Sequence, residues 1–195
     1  MRKILCLLIS LWSLKVMEAG TITGKISCRD RSDCGNAIVY ADSATKEKFA
    51  PPKDPLVVDQ THLTFTPHVL PVLVGTTVLF PNNDEVAHNV FSYSPTKLFN
   101  VGIYPRGASR QVTFDKPGEV ALHCNIHPGM LAYLLVLEQP HFTVTQRDGS
   151  YSLRDLPPGK YTLTIWHERY KSVLQTLEVK GTESISLNLD LVERR

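Results

Sequence analysis

Residues 112–137 read VTFDKPGEVALHCNIHPGMLAYLLVL. Two strand-like runs, VTFDKPGEVALH and LAYLLVL, flank a short loop, and Pro117-Gly118 marks a turn within the first. The loop carries a thiol, an imidazole and a thioether, Cys124, His127 and Met130, in the spacing C-x2-H-x2-M. A single His or Met is most often a packed side chain. Three soft or borderline ligands on one loop, held at the edge of a rigid sheet, form a metal-binding pattern. Two His, one Cys and a weak axial Met make the blue-copper ligand set, which requires a second His from elsewhere. His88 is the candidate, in VGTTVLFPNNDEVAHNVFS (residues 74–92), where the strand TTVLF runs into a polar turn. It precedes Cys124 by 36 positions, room for a strand and its return.

The rest of the chain fits that reading. It has 195 residues, 43% of them hydrophobic, enough for one large domain or two small ones. With 21 Lys+Arg against 19 Asp+Glu and no basic block, the composition excludes a strongly basic nucleic-acid binder. Hydrophobicity this high with mixed charge excludes disorder. The 13 Pro and 11 Gly, separated by short apolar runs, predict an all-β class.

Arg2 and Lys3 precede an apolar run, Ile4 to Leu14, that is too short to span a bilayer, and Ala19 and Gly20 follow. Residues 1–19 therefore read as a secretory signal peptide cut after Ala19, with an uncleaved N-terminal anchor as the alternative. Cleavage leaves 18 basic and 18 acidic side chains and no transmembrane segment, and places the protein outside the cell or in the periplasm. Cysteine usage agrees. Cys6 leaves with the signal, and Cys28 and Cys34 lie six positions apart in SCRDRSDCG. A disulfide across that turn suits an oxidising compartment and contributes roughly 2 kcal/mol on the loop-entropy model. Cys124 is then the odd thiol, and its neighbours give it a role.

These residues resemble the cupredoxins, specifically the plastocyanin and amicyanin group. VGTTVLFPNNDEVAHNVF is similar to the family's segment ending in HNV, and FDKPGEVALHCNIHPGM to its segment carrying Cys, His and Met, with the short loop seen in amicyanin. The likeness covers about Pro55 to Glu138. It implies a Greek-key β-sandwich holding one type 1 copper through His88, Cys124, His127 and Met130. It also implies that Asn89 fastens the two ligand loops by hydrogen bonding. His127 becomes the electron port, with Pro128, Gly129 and Leu131 as an apolar patch on which a protein redox partner docks transiently.

A second resemblance lies downstream. FTVTQRDGSYSLRDLPPGKYTLTIWHERY (residues 142–170) is similar to the carboxypeptidase-regulatory, transthyretin-like domains, with their DG turn, PPG turn and long alternating strand. That family opens on two strands whose only counterparts here are GTITGKIS and NAIVYA, near residues 20–42. The expectation is a smaller transthyretin-like sandwich split into 20–52 and 139–195, with the cupredoxin domain, 53–138, inserted. The alternative is two domains in tandem. Lys46–Pro55 and Glu138–His141 mark the junctions, where Pro and charge gather.

The remaining histidines read more plainly. Strand alternation sends His123 to the face opposite the thiolate. His62 and His68, in DQTHLTFTPHVLPV, read as hydrogen-bonded loop residues, with a second metal site as the alternative; His141 and His167 read as structural or exposed. Four protein ligands leave no position for a substrate, so one-electron transfer is expected rather than enzymatic catalysis. The copper enzymes of this kind need His-x-His clusters, and the sequence has none. The competing readings are a copper-handling or sensing module with a more open site, and a non-redox adhesion scaffold served by the C-terminal sandwich.

Overall fold

A computed structural model describes residues 19–29, 34–45 and 47–194; residues 1–18, which carry the signal-peptide reading and Cys6, lie outside it. The described residues contain strands and no helix, so none holds a helix long and apolar enough to cross a membrane. In chain order the strands open with β1 (Gly20–Cys28) and β2 (Ile38–Ser43). The middle of the chain gives β3 (Leu56–Val57), β4 (Asp59–Thr61), β5 (Thr64–Thr66), β6 (Val69–Leu73), β7 (Thr76–Pro81), β8 (His88–Ser92), β9 (Phe99–Tyr104), β10 (Ser109–Phe114), β11 (Gly118–His123) and β12 (Leu131–Leu137). The remainder gives β13 (Phe142–Val144), β14 (Ser150–Leu156), β15 (Gly159–His167), β16 (Tyr170–Val179), β17 (Ser184–Ser186) and β18 (Leu189–Leu191).

The middle strands form one sandwich. A five-stranded sheet in the order β6-β12-β11-β8-β9 faces a three-stranded sheet in the order β10-β7-β3. In β7 every second residue is buried, the period-2 signature of a strand with one face on a core. That face contributes Val78 and Phe80 to a core with Val72, Val90, Phe114, Leu122 and Leu134. A ribbon of β4 and β5 lies beside it, joined by His62 and Leu63 with φ of 51° and 57°. Positive φ at both residues is the two-residue hairpin geometry usually given to Asn-Gly.

The outer segments form the second sandwich. β1 runs antiparallel to β14, pairing Thr23 with Ser152, and parallel to β17 and β18. β2 lies between β13 and β15 in a sheet closed by β16. Ile22 and Ile26 of β1 and Val39 and Ala41 of β2 are fully buried against Leu153, Leu163 and Ile165. The disulfide Cys28–Cys34 borders this core and lies in a different cluster from Cys124. A third, smaller core joins the sandwiches: Val69, Leu135 and Leu137 meet Ile38 and Trp166.

Gly149 shows how tightly the second sandwich is built. It sits at φ +83°, and a Cβ there would lie 2.0 Å from the carbonyl oxygen of Ile26 in β1. Gly149→Ala therefore meets both an unfavourable backbone conformation and a main-chain clash. The expected loss is about 3 kcal/mol or more, read as a lower denaturant midpoint at unchanged slope.

Candidate metal centre

Two loops at one end of the first sandwich bring the ligands together. β8 opens on His88, and the segment after β11 carries Cys124 and His127 before β12 begins at Leu131. The sheet order places β11 between β12 and β8, with His123 opposite Phe91. Residues 36 positions apart are thereby held side by side.

Nδ1 of His88 lies 3.8 Å from Sγ of Cys124, Nδ1 of His127 lies 3.9 Å from the same sulfur, and the two nitrogens are 2.9 Å apart. A point equidistant from the three atoms lies about 2.1 Å from each, the length of a metal–imidazole bond and slightly short of a metal–thiolate bond. These are the three ligand atoms that converge among the described residues. Met130 is 1% exposed and packs in the same apolar cluster as Cys124; its N–H donates to the carbonyl of His127 at 2.9 Å, closing the loop as a tight turn. Two imidazole nitrogens and a thiol sulfur form a borderline-to-soft donor set, which suits copper and excludes hard cations such as Ca²⁺ or Mg²⁺.

His88 is fully buried, and its Nε2–H donates to Oδ2 of Asp84 at 3.0 Å. That bond fixes the tautomer and leaves Nδ1 with a free lone pair facing Cys124. The backbone N–H of Leu63 first, then His88, hold the Asp84 carboxyl down at about 2, so it is ionised at neutral pH. Asn82 supports the turn by accepting the N–H of Asp84 and donating to the carbonyls of Val86 and Tyr104. Asn89 Oδ1 accepts the N–H of Asn125 at 2.7 Å, tying β8 to the residue beside Cys124. Asp84 was the site residue that sequence reasoning passed over. Its only signal is a carboxylate four positions before the histidine, and the sequence does not distinguish it from Glu85 next to it.

The matches to known proteins follow this geometry. Residues 53–138 match the family model described as copper binding proteins, plastocyanin/azurin family. This segment is a cupredoxin domain. Residues 132–192 match the carboxypeptidase regulatory-like domain, so the chain combines the two families. No curated protein sequence matches the chain. Among solved structures, a copper-containing nitrite reductase from Thermus scotoductus SA-01 is 28% identical with a TM-score of 0.43 over 50% of this chain, and this chain covers 26% of that enzyme. A purple cupredoxin from Nitrosopumilus maritimus is 24% identical with a TM-score of 0.39, covering 42% of this chain and 99% of its own. A variant of amicyanin in its reduced Cu(I) form is 24% identical with a TM-score of 0.41, covering 50% of this chain and 99% of its own.

The surface of the cupredoxin around His127 differs in part from expectation. Pro128 and Gly129 are exposed, whereas Leu131 is half-buried and lines a cleft with Phe65, His68 and Glu168. Ile126, next to His127, is an exposed apolar side chain at 41% exposure. The other histidines stand apart from the converging ligands. His123 stacks near Phe91, with ring centroids 5.5 Å apart. His62 approaches Thr61 Oγ1 at 3.2 Å. His141 packs edge-on to Phe49 and Tyr161, and burial lowers its pKa. His167 is 7% exposed and accepts the N–H of Arg169.

Proposed function

We propose that this chain is an exported electron-transfer protein, not an enzyme, carrying one type 1 copper held by His88, Cys124, His127 and Met130. The observation that carries the proposal is the triangle of two Nδ1 atoms and one Sγ, with His88 and Cys124 buried and His127 half-buried. Copper, when bound, supplies a one-electron couple between its two oxidation states. The chain supplies the rest. Asp84 and Asn89 hold the ligand loops fixed, so the donors need not rearrange when the charge changes. Val90, Leu122 and Tyr104, all fully buried, exclude water from the inner side of the site. His127 is the less buried imidazole and sits between the exposed Ile126 and Pro128, where a protein partner can approach. Redox partners of this kind dock through small interfaces and separate quickly.

The same reading takes residues 53–138 as an insertion in a sandwich made of 20–52 and 139–195, supported by the pairing of β1 with β14 and of β2 with β15. It takes residues 1–19 as a signal peptide, and the disulfide fits an oxidising destination outside the cytoplasm.

The test is a visible and EPR spectrum of the copper-loaded protein. An intense thiolate-to-Cu(II) charge-transfer band is expected. A colourless sample, or weak d–d bands alone, overturns the assignment and favours a copper-handling module with an open site. Asp84→Ala should keep the colour but weaken copper binding by about 10- to 100-fold, because His88 loses the bond that sets its tautomer and ring orientation; a competitive chelator titration reads the difference.

A further inference from the structure

His68 joins the metal loop to the second sandwich. Its Nδ1 lies 3.1 Å from the carbonyl oxygen of Leu131, and its Nε2 lies 3.1 Å from Oε2 of Glu168. The His68 carbonyl accepts the N–H of Tyr133 at 2.9 Å, and its ring meets Tyr133 edge-on at 5.8 Å. Leu131 directly follows Met130 and opens β12, whereas Glu168 lies in the turn between β15 and β16. From the same hairpin, Trp166 Nε1–H donates to Oε2 of Glu119 on β11 at 2.9 Å and packs against Tyr133. One hairpin of the second sandwich thus grips both strands that carry the cysteine loop.

The two acceptors bear on which ring nitrogens can donate. A carbonyl can only accept, so Nδ1 of His68 carries hydrogen. A carboxylate can only accept, so Nε2 carries hydrogen as well. Both contacts are hydrogen bonds at once only in the imidazolium. With one proton removed and Nδ1–H retained, a lone pair would face the Glu168 carboxylate, and the link to the sandwich would open. The other ionisable groups packed around this point are Glu119, the Tyr133 hydroxyl and Arg194; burial first, then Glu168 and Glu119, raise the Tyr133 pKa.

We propose that His68 and Glu168 are positioning residues of the copper loop: through a protonated His68 the second sandwich holds the Leu131 carbonyl, and with it the backbone beside Met130, so that a domain contributing no ligand tunes the metal centre. This rests on the copper reading above. The positive ring also opposes the more highly charged oxidised state. The reduction potential therefore falls as pH rises and His68 loses its proton.

The experiment follows the potential and EPR spectrum of the copper-loaded full-length chain from pH ~5 to ~8, in the wild type, Glu168→Gln and His68→Gln. Amide NMR shifts of Leu131 and Tyr133 are followed over the same range in metal-free protein. In the wild type a single proton step is expected in both, with proton affinities of the reduced and oxidised forms differing about threefold, ~28 mV for one electron. In Glu168→Gln the amide N–H donates to Nε2, so the neutral imidazole satisfies both neighbours and the step leaves this range. In His68→Gln the step is absent. A wild-type potential that stays flat, or a step that persists unchanged in His68→Gln, overturns the inference while the blue spectrum leaves the copper assignment standing. If no blue spectrum forms, the NMR arm still decides: amide shifts at Leu131 and Tyr133 that do not follow His68 overturn the bridge.

Discussion

Cys124→Ala should abolish the visible charge-transfer band of the copper-loaded protein and lower copper affinity by more than the 10- to 100-fold expected for loss of an outer hydrogen-bond partner. The thiolate is both the chromophore and the strongest donor, and Cys124 is the one free cysteine among the described residues. The metal-free variant should remain folded, because Cys to Ala removes a single sulfur from the core, an expected cost of about 1 kcal/mol. Met130→Leu forms the contrast. Leucine fills the same buried volume, so copper should still bind and the colour persist, while loss of a weak thioether donor should raise the potential. Absorption, chelator competition and voltammetry on the two variants separate the roles. Equal loss of copper in both would remove Met130 from the axial position.

The second large effect concerns the outer sandwich. A fragment beginning at Gln139 should fail to fold. It lacks β2, which lies between β13 and β15 and brings the fully buried Ile38, Val39 and Ala41, and it lacks β1 with Ile22 and Ile26. Losing five such side chains, at about 1.5–3 kcal/mol each for the larger ones, exceeds the stability of a domain of that size. Circular dichroism and thermal denaturation should show no cooperative transition. A fragment of residues 53–138 should fold and bind copper, but it exposes Val69, Leu135 and Leu137, which Trp166 and Ile38 otherwise cover. Its melting temperature should fall, and it should self-associate as concentration rises. Cooperative unfolding of the Gln139 fragment would refute the insertion.

The ligand positions were legible because their chemistry is local. Cys124, His127 and Met130 announce themselves by type and spacing, and His88 was found by asking which histidine follows a strand into a polar turn. The all-β class was legible from short apolar runs punctuated by Pro and Gly. Asp84 was not, because an acidic turn offers several carboxylates and only the folded turn aims one at Nε2 of His88. The hairpin at His62 and Leu63 hid for a different reason: neither residue type advertises positive φ. His68 was read as a hydrogen-bonded histidine, which it is. Its partner Glu168 lies 100 positions away, across an interface that no local pattern encodes.

The seating of β2 against β13 has a consequence for the order in which the molecule assembles. Tyr40 pairs with Phe142, so about a hundred residues must be looped out before this contact forms. A flexible loop of that length costs about 2 kcal/mol more to close than one of ten residues. The intervening cupredoxin, built from its own nearer contacts, should bring the two flanks together when it folds; in the folded chain Phe49 packs edge-on to His141 across them. Assembly should therefore run from the middle of the chain outward, with the outer sandwich closing last around a centre already in place. Whatever steadies that centre, a bound metal included, should then also hasten the closing of strands far from it.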